Sequence, residues 1–396
     1  MKKIIALLLV VMTVFGLAAC SGTNNDETTL KVGFIFLHDE NSTYDKNFID
    51  AAVAACKNMG VTMVQKTQIP ESNACYEAAV ELIEVEGCTL IFADSFGHES
   101  FLMQAAKEHP EVQFCHATGT QAHTAGLANF HNAFAHIYEG RYLAGVVAGL
   151  KLKEMIDAGK ITAAEAKMGY VGAFTFAEVI SGYTSFYLGA KSIVPEVTMD
   201  VKFTGSWYDE TKEKQAAEAL IAGGCVLISQ HADSMGAPTA CENAGIPNVS
   251  YNGSTAAACP NTFLISSRIN WVPYFEYMIT QVKEGKSIDV DWAGDLSNGA
   301  VAVTDLGTAV APGTAEKVAD VKAKLMAGEI NVFDTANFTV GGEHLTSYMA
   351  DVDFDAAYTK DTEAIKDGVF MESEFRSGPY FDLEIDGITL LDRNYG

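Results

Sequence analysis

The chain has 396 residues, with 51 acidic against 26 basic side chains and a formal charge of −25 at neutral pH. Such a surface repels nucleic acid and anionic lipid, so the polyanion-binding classes are excluded. With 48% hydrophobic residues there is ample apolar material, and two domains or lobes are expected, because one core seldom keeps growing beyond about 250–300 residues.

The N-terminus reads Lys2-Lys3, an apolar run from Ile4 to Leu17, then Ala18-Ala19-Cys20. A charged start, a short apolar run and small residues before a cleavage point make 1–19 a bacterial signal peptide. The run is too short to span a bilayer comfortably, which takes about 20 apolar residues. Ala18-Ala19 before Cys20 resembles the lipobox of bacterial lipoproteins, so Cys20 is the expected lipidation site and the membrane a partner through that anchor. Residues 20–29 are polar, lack apolar periodicity and read as a tether.

From Leu30 short apolar runs alternate with amphipathic stretches. The series runs strand Lys31–Leu37, helix Asp45–Gly60, strand Val61–Val64, helix Asn73–Glu86, strand Thr89–Ala93, helix Glu99–His109 and strand Val112–His116. After an apolar helix at Tyr138–Leu150 a second series begins: strand Lys167–Val171, helix Val179–Lys191, strand Thr198–Phe203 and helix Glu210–Ala222. It continues with strand Cys225–Ser229, helix Pro238–Ala244 and strand Asn248–Tyr251. This alternation predicts an α/β chain with two doubly wound parallel-sheet lobes, a hinge and a central cleft. We expect 30–136 with 253–285 in lobe 1, and 137–252 with 286–345 in lobe 2. The latter part would hold a strand from Val301, a helix Ala315–Ala327 and a hairpin at Ile330–Val340. Residues 346–396, acidic and aromatic, are expected as a C-terminal extension packed on a lobe through Phe375, Tyr380 and Phe381. Seven cysteines beyond Cys20 show no CxxC pair or metal-like spacing, and read as buried free thiols.

Open parallel sheets bind ligands beyond the carboxyl ends of their strands, so candidate residues are those just after each strand. Lobe 1 offers His38, Asp39 and Tyr44, then Asp94, Ser95 and Phe96. Lobe 2 offers Phe174 to Glu178, Ser206 to Asp209, Gln230 to Ser234, and Asn252. Rings and hydrogen-bonding groups together suit a flat heteroaromatic ligand, stacked on its faces and read at its edge. Trp207 is the sharpest candidate, with packing against the neighbouring helix as its alternative. Asp94 and Asp233 stand where an edge-reading carboxylate belongs, and equally where a helix N-cap favours aspartate. Glu139 and Arg141 suit a hinge or an inter-lobe salt bridge. His38, His98 and His231 lack zinc-like spacing, so no metal site is assigned. No GxSxG, HExxH, Walker loop or GxGxxG after a strand is present, so neither an enzyme nor a cofactor is implied.

The stretches Asp94-Ser-Phe-Gly97, His116-Ala-Thr-Gly119, Ile137-Tyr-Glu-Gly-Arg-Tyr-Leu-Ala-Gly145, Gly205-Ser-Trp207, Gln230-His-Ala-Asp-Ser234 and Asn270-Trp-Val-Pro-Tyr274 together resemble the basic membrane protein family of lipoproteins. The likeness covers Lys31 to about Asp334. It implies a type I periplasmic-binding fold, and a purine base or purine nucleoside held between rings of two lobes. The implied ring roles fall on Tyr44 and Trp207, and the polar roles on Asp94, Ser95, Asp233 and Asn252. Implied partners are the permease and ATPase subunits of an ABC importer, with the receptor itself a monomer. Asn252 departs from the aspartate that many members use to grip ribose, and Ser266 to Ile269 lacks an assisting lysine. A neutral amide bonds a diol less strongly than a carboxylate, which moves the expectation towards the free base. The same fold could instead hold a sugar, or serve a sensor lipoprotein.

Overall fold

The computed structural model describes residues 29–353 and 359–393. The expected leader, Cys20 and all but the last residue of the tether lie outside the described residues.

Lobe 1 is built from β1 (Lys31–Ile35), α1 (Thr43–Met59), β2 (Thr62–Lys66), α2 (Asn73–Glu84), β3 (Leu90–Ala93), α3 (Glu99–Glu108), β4 (Gln113–Ala117), the short α4 (Ala122–Ala125) and β5 (Phe130–Ala135). Lobe 2 follows with α5 (Ile137–Asp157), β6 (Lys167–Gly172), α6 (Ala177–Lys191), β7 (Thr198–Phe203), α7 (Glu210–Ala222), β8 (Leu227–Gln230), α8 (Gly236–Ala244), β9 (Asn248–Tyr251) and β10 (Phe263–Ile269). Then come α9 (Val272–Glu284), β11 (Asp291–Gly294), β12 (Val301–Val303) and α10 (Thr314–Met326). The extension holds two small ribbons, β13 (Met349–Ala350) with β14 (Thr362–Glu363) and β15 (Ile365–Lys366) with β16 (Val369–Phe370), and ends in β17 (Ile388–Leu390).

One sheet runs β11-β5-β4-β3-β1-β2 and the other β12-β10-β9-β8-β6-β7-β17. In each lobe the first strand lies between the second and third, the order in which the chain switches direction and leaves a crevice at the strands' carboxyl ends. Within these two sheets all described pairings are parallel except β10 with β12. β1 and β3 are buried on both faces, as parallel strands between helix layers must be, so they read as unbroken apolar runs. Local signals mark the helix ends: Ser42 accepts from the Asp45 N–H at the start of α1, and Gly60, at φ 63°, closes it. α5 and α6 cross backbone to backbone. A Cβ on Gly145 would lie 2.0 Å from the Phe186 carbonyl oxygen, and one on Gly189 2.2 Å from that of Tyr142.

The structure corrects the expected lobe boundaries. β10 lies in the second sheet, between β9 and β12, whereas 253–285 was expected whole in lobe 1. Of that stretch, α9 and the Trp271 before it pack on lobe 1, where Phe275 meets Phe34 at 5.2 Å and Trp271 stacks on Phe48 at 4.4 Å. β11, expected in lobe 2, pairs with β5 in lobe 1. An apolar run such as Phe263-Leu-Ile fits either sheet, and only pairing decides between them. β5 is absent from the expected elements because His131 and Asn132 interrupt its apolar run. The expected hairpin at Ile330–Val340 is instead a 3₁₀ turn at Thr335–Asn337 with a bridge from Asp334 to Val369. The seven cysteines from Cys56 to Cys259 are free and buried.

The chain therefore crosses between lobes at 135–137, 269–272 and 294–301. These crossings bond to each other: His136 N–H donates to Gly294 O at 2.7 Å and Asn270 N–H to Ala300 O at 2.6 Å. Glu139 accepts the Leu296 N–H at 2.9 Å, a hinge contact without the salt bridge that was one expectation. The cleft is shut, since Thr43 of lobe 1 donates its N–H to the Asp233 carbonyl of lobe 2 at 3.0 Å.

Candidate functional site

The loops that leave the strands of both lobes enclose one cavity of about 100 Å³, room for one small molecule and none for a polymer. Lobe 1 contributes Tyr44, Ser95, Phe96, Thr118 and Thr120, and lobe 2 contributes Phe176, Glu178, Trp207, His231 and Asp233. Phe96 meets Phe176 across the cleft at 5.1 Å, and Trp207 stands edge-on to Phe174 at 4.9 Å. The rings thus form a cage, and Trp207 is part of its wall while also packing on the core behind it.

Of the eight residues expected to bind ligand, Tyr44, Ser95, Phe96, Trp207 and Asp233 line this cavity, and Asp39, Asp94 and Asn252 do not. The Asp39 carboxylate bonds Asn41 and Gln68 in a turn on the outer side. Asp94 is wholly buried behind the wall, where its Oδ1 accepts the Leu37 N–H at 3.1 Å and its carbonyl accepts the Tyr44 hydroxyl at 2.7 Å. Burial, then the neighbouring Asp45, holds its carboxyl well above the usual range. Asn252 is buried at φ 64°, with Nδ2 unpartnered among the described residues. Ser95 turns its hydroxyl to Glu71 Oε1 at 2.6 Å.

Glu178, Arg141 and His231 form the best-built polar feature; Arg141, expected in a hinge or an inter-lobe salt bridge, instead bonds Gln230 O and His231 within lobe 2. Arg141 lies 3.4 Å over the Tyr251 ring and points Nη2 at His231 Nδ1, 3.0 Å away. A guanidinium can only donate, so Nδ1 accepts and the imidazole proton sits on Nε2, which donates to Glu178 Oε2 at 3.0 Å. Tyr251 donates its hydroxyl to Glu178 Oε1 at 3.3 Å. Burial opposes ionisation of Glu178, yet His231 and Arg141 outweigh it and hold the carboxyl below its ordinary value. The result is a fixed anion in a wall of rings. Asp233 is the complement: burial first, then Glu213, raises its carboxyl well above the usual range, and Oδ1 has no partner among the described residues. Such a group can donate or accept at a ligand's edge.

Two contributions were missed, one of them although it directly follows β4. Thr118 holds φ 61°, an uncommon conformation for a β-branched residue. It falls within the His116–Gly119 stretch that carried the family likeness. Arg376 and Pro379 come from the C-terminal extension, far along the chain from either series. Among the described residues no cluster of His, Cys, Asp and Glu could hold a metal ion, and no helix is long and apolar enough to cross a membrane.

The chain is 31% identical over 331 residues to a purine-binding protein of Brucella abortus, covering 82% of this chain and 89% of that one. It is 29% identical over 250 residues to a Haloferax volcanii protein whose name proposes a glucose-binding part of an ABC transporter, covering 63% and 60% of the two chains. The fold matches a solute-binding protein of an ABC transporter system from Aeropyrum pernix K1 with a TM-score of 0.65, at 19% identity, over 80% of this chain and 94% of that one. Residues 35–336 match the Bmp family, described as ABC transporter substrate-binding protein PnrA-like, and the chain belongs to that family of non-enzymatic solute-binding proteins.

Proposed function

We propose that this chain is the extracytoplasmic, lipid-anchored receptor of an ABC importer, and that it closes over a purine base or purine nucleoside. The observation that carries the reading is the cage itself: rings from both lobes around one cavity, with Glu178 and Asp233 at its edge. A purine offers two flat faces for the rings and N–H groups for the carboxylates. The purine-binding relative supports the same class. Asn252 lies outside the lining, and no carboxylate replaces it at that place, which favours the base over the nucleoside. The shut cleft is the form that a permease and its ATPase would recognise, and ligand shifts the population towards it. Anchoring rests on the leader and Cys20: Cys20→Ala should move the protein from the detergent phase to the aqueous phase on phase separation.

Titration calorimetry of the purified protein against adenine, hypoxanthine, guanosine, ribose and glucose tests the ligand class. Saturable heat from a purine is the expected result. A second reading, a monosaccharide, is favoured by the halophile relative alone; heat from glucose or ribose with silence from all purines would select it.

A further inference from the structure

The extension lies outside the family-matched residues 35–336, yet it is part of the cavity wall. It holds both lobes. On lobe 2, β17 adds a parallel strand beside β7, and Ser181 donates its hydroxyl to Glu372 Oε1 at 2.5 Å. On lobe 1, the backbone N–H and hydroxyl of Ser377 reach Asp291 Oδ1 at 2.9 and 2.8 Å. Gly378 lies so close to lobe 1 that a Cβ there would sit 2.7 Å from the Gly119 carbonyl oxygen. Between these anchors Arg376 is 5% exposed and faces the cavity beside Pro379.

The Arg376 guanidinium is oriented from behind. Nε donates to Gly378 O at 3.0 Å, Nη1 to Val352 O at 2.7 Å and Nη2 to Pro379 O at 2.9 Å. Those bonds leave one N–H on each terminal nitrogen uncommitted to these carbonyls. Among the described lining residues Arg376 is the only arginine or lysine, set against Asp45, Glu178 and Asp233. The cavity is thus polarised: the Glu178 anion takes a donor from a ligand, Asp233 can donate or accept, and the one guanidinium can take only an acceptor.

We propose that Arg376 is a specificity-determining residue delivered by the extension, and that it selects purines bearing a ring carbonyl, the 6-oxopurines, over 6-aminopurines. The assignment rests on the purine reading above. The exocyclic amino group of adenine is a donor, and set against a guanidinium it leaves both groups unsatisfied. A carbonyl at the same place accepts one or both of the N–H groups that those three carbonyls leave. Discrimination by a site built to hydrogen-bond a particular group is large because the mismatched partner leaves a buried polar group unpaired.

Calorimetry of the wild-type protein and the Arg376→Gln variant against hypoxanthine and adenine tests this. The wild type should bind hypoxanthine at least about tenfold more tightly, and Arg376→Gln should lose roughly twentyfold for hypoxanthine but under about threefold for adenine. Arg376→Lys keeps the charge without the fork and should fall between, and it decides the matter if the glutamine variant unfolds on heating before the wild type does. Equal losses for the two bases, or no loss, overturn the role of Arg376 and leave the purine reading standing. Silence from every purine with the wild-type protein overturns both.

Discussion

The two lobes share one strand order and furnish the cleft differently. In lobe 1 the acids are used by their own loop: Asp45 accepts the His38 N–H at 2.6 Å and the Ser42 hydroxyl at 2.6 Å, and Asp94 is buried behind Tyr44. In lobe 2, Glu178 is held from behind by His231 and Tyr251, and Asp233 keeps an unpartnered oxygen in the wall. The topology is duplicated but the recognition is divided, with polar reading concentrated in lobe 2 and aromatic closure supplied by both. Substitutions in lobe 2 should therefore cost more affinity than their counterparts in lobe 1.

The largest effect is expected at Trp207. Trp207→Ala removes a wall of the cage from a half-buried ring at the margin of the core, so ligand affinity should fall about a hundredfold while the fold is retained. Calorimetry and circular dichroism measure the two, and a change below about fivefold would break the division between lobes. Glu178→Gln comes next. It keeps the shape but exchanges a charge-assisted acceptor for a weaker one, and the loss should be about twentyfold. An equal loss from Tyr44→Phe, which removes only the hydroxyl bond to the Asp94 carbonyl, would show that lobe 1 reads polarity as strongly as lobe 2.

A smaller effect distinguishes both lobes from the strap that joins them. Burial, against hydrogen bonds from Ser181 and Ser373, pushes the Glu372 carboxyl up to about 7, with Glu178 and Arg376 acting on it as well. The docked extension therefore holds a proton that the released extension gives up at the ordinary glutamate value. Docking is strongest below that value and weakens as pH rises towards about 7. Amide protection factors for residues 365–380 should drop about tenfold between pH 5 and pH 8, and Glu372→Gln should flatten the profile. A wild-type profile that rises with pH would reverse the sign.

How much of this was readable in the sequence depends on how local each signal is. The alternating strands and helices are local, and so are the strand-end loops, so the fold class and five cavity residues follow from pattern. The side of the hinge taken by β10 and β11 is set by pairing over long separations, and runs such as Phe263-Leu-Ile carry no mark of it. The same limit explains Glu178 and His231, whose loops were marked while their mutual bond was not visible. Arg376 had no signal: nothing around it follows a strand of either series, and the tail reads only as aromatic and acidic.

The smallest expected effect tests the boundary of the site. Asp39 follows β1 as Asp94 follows β3, and position alone makes them equals. The structure separates them, because the chain turns outward at Asp39 and its carboxylate closes on the Asn41 N–H at 3.0 Å and the Gln68 amide at 2.8 Å. Those bonds, led by the backbone contact from Asn41, hold its carboxyl below the ordinary value, as in a turn exposed to water. Asp39→Ala should therefore leave ligand affinity within about twofold and cost under about 1 kcal/mol of stability, the usual range for a partly exposed turn bond. A tenfold loss of affinity would move the wall of the cavity outward to this turn, and lobe 1 would then hold a polar reader of its own.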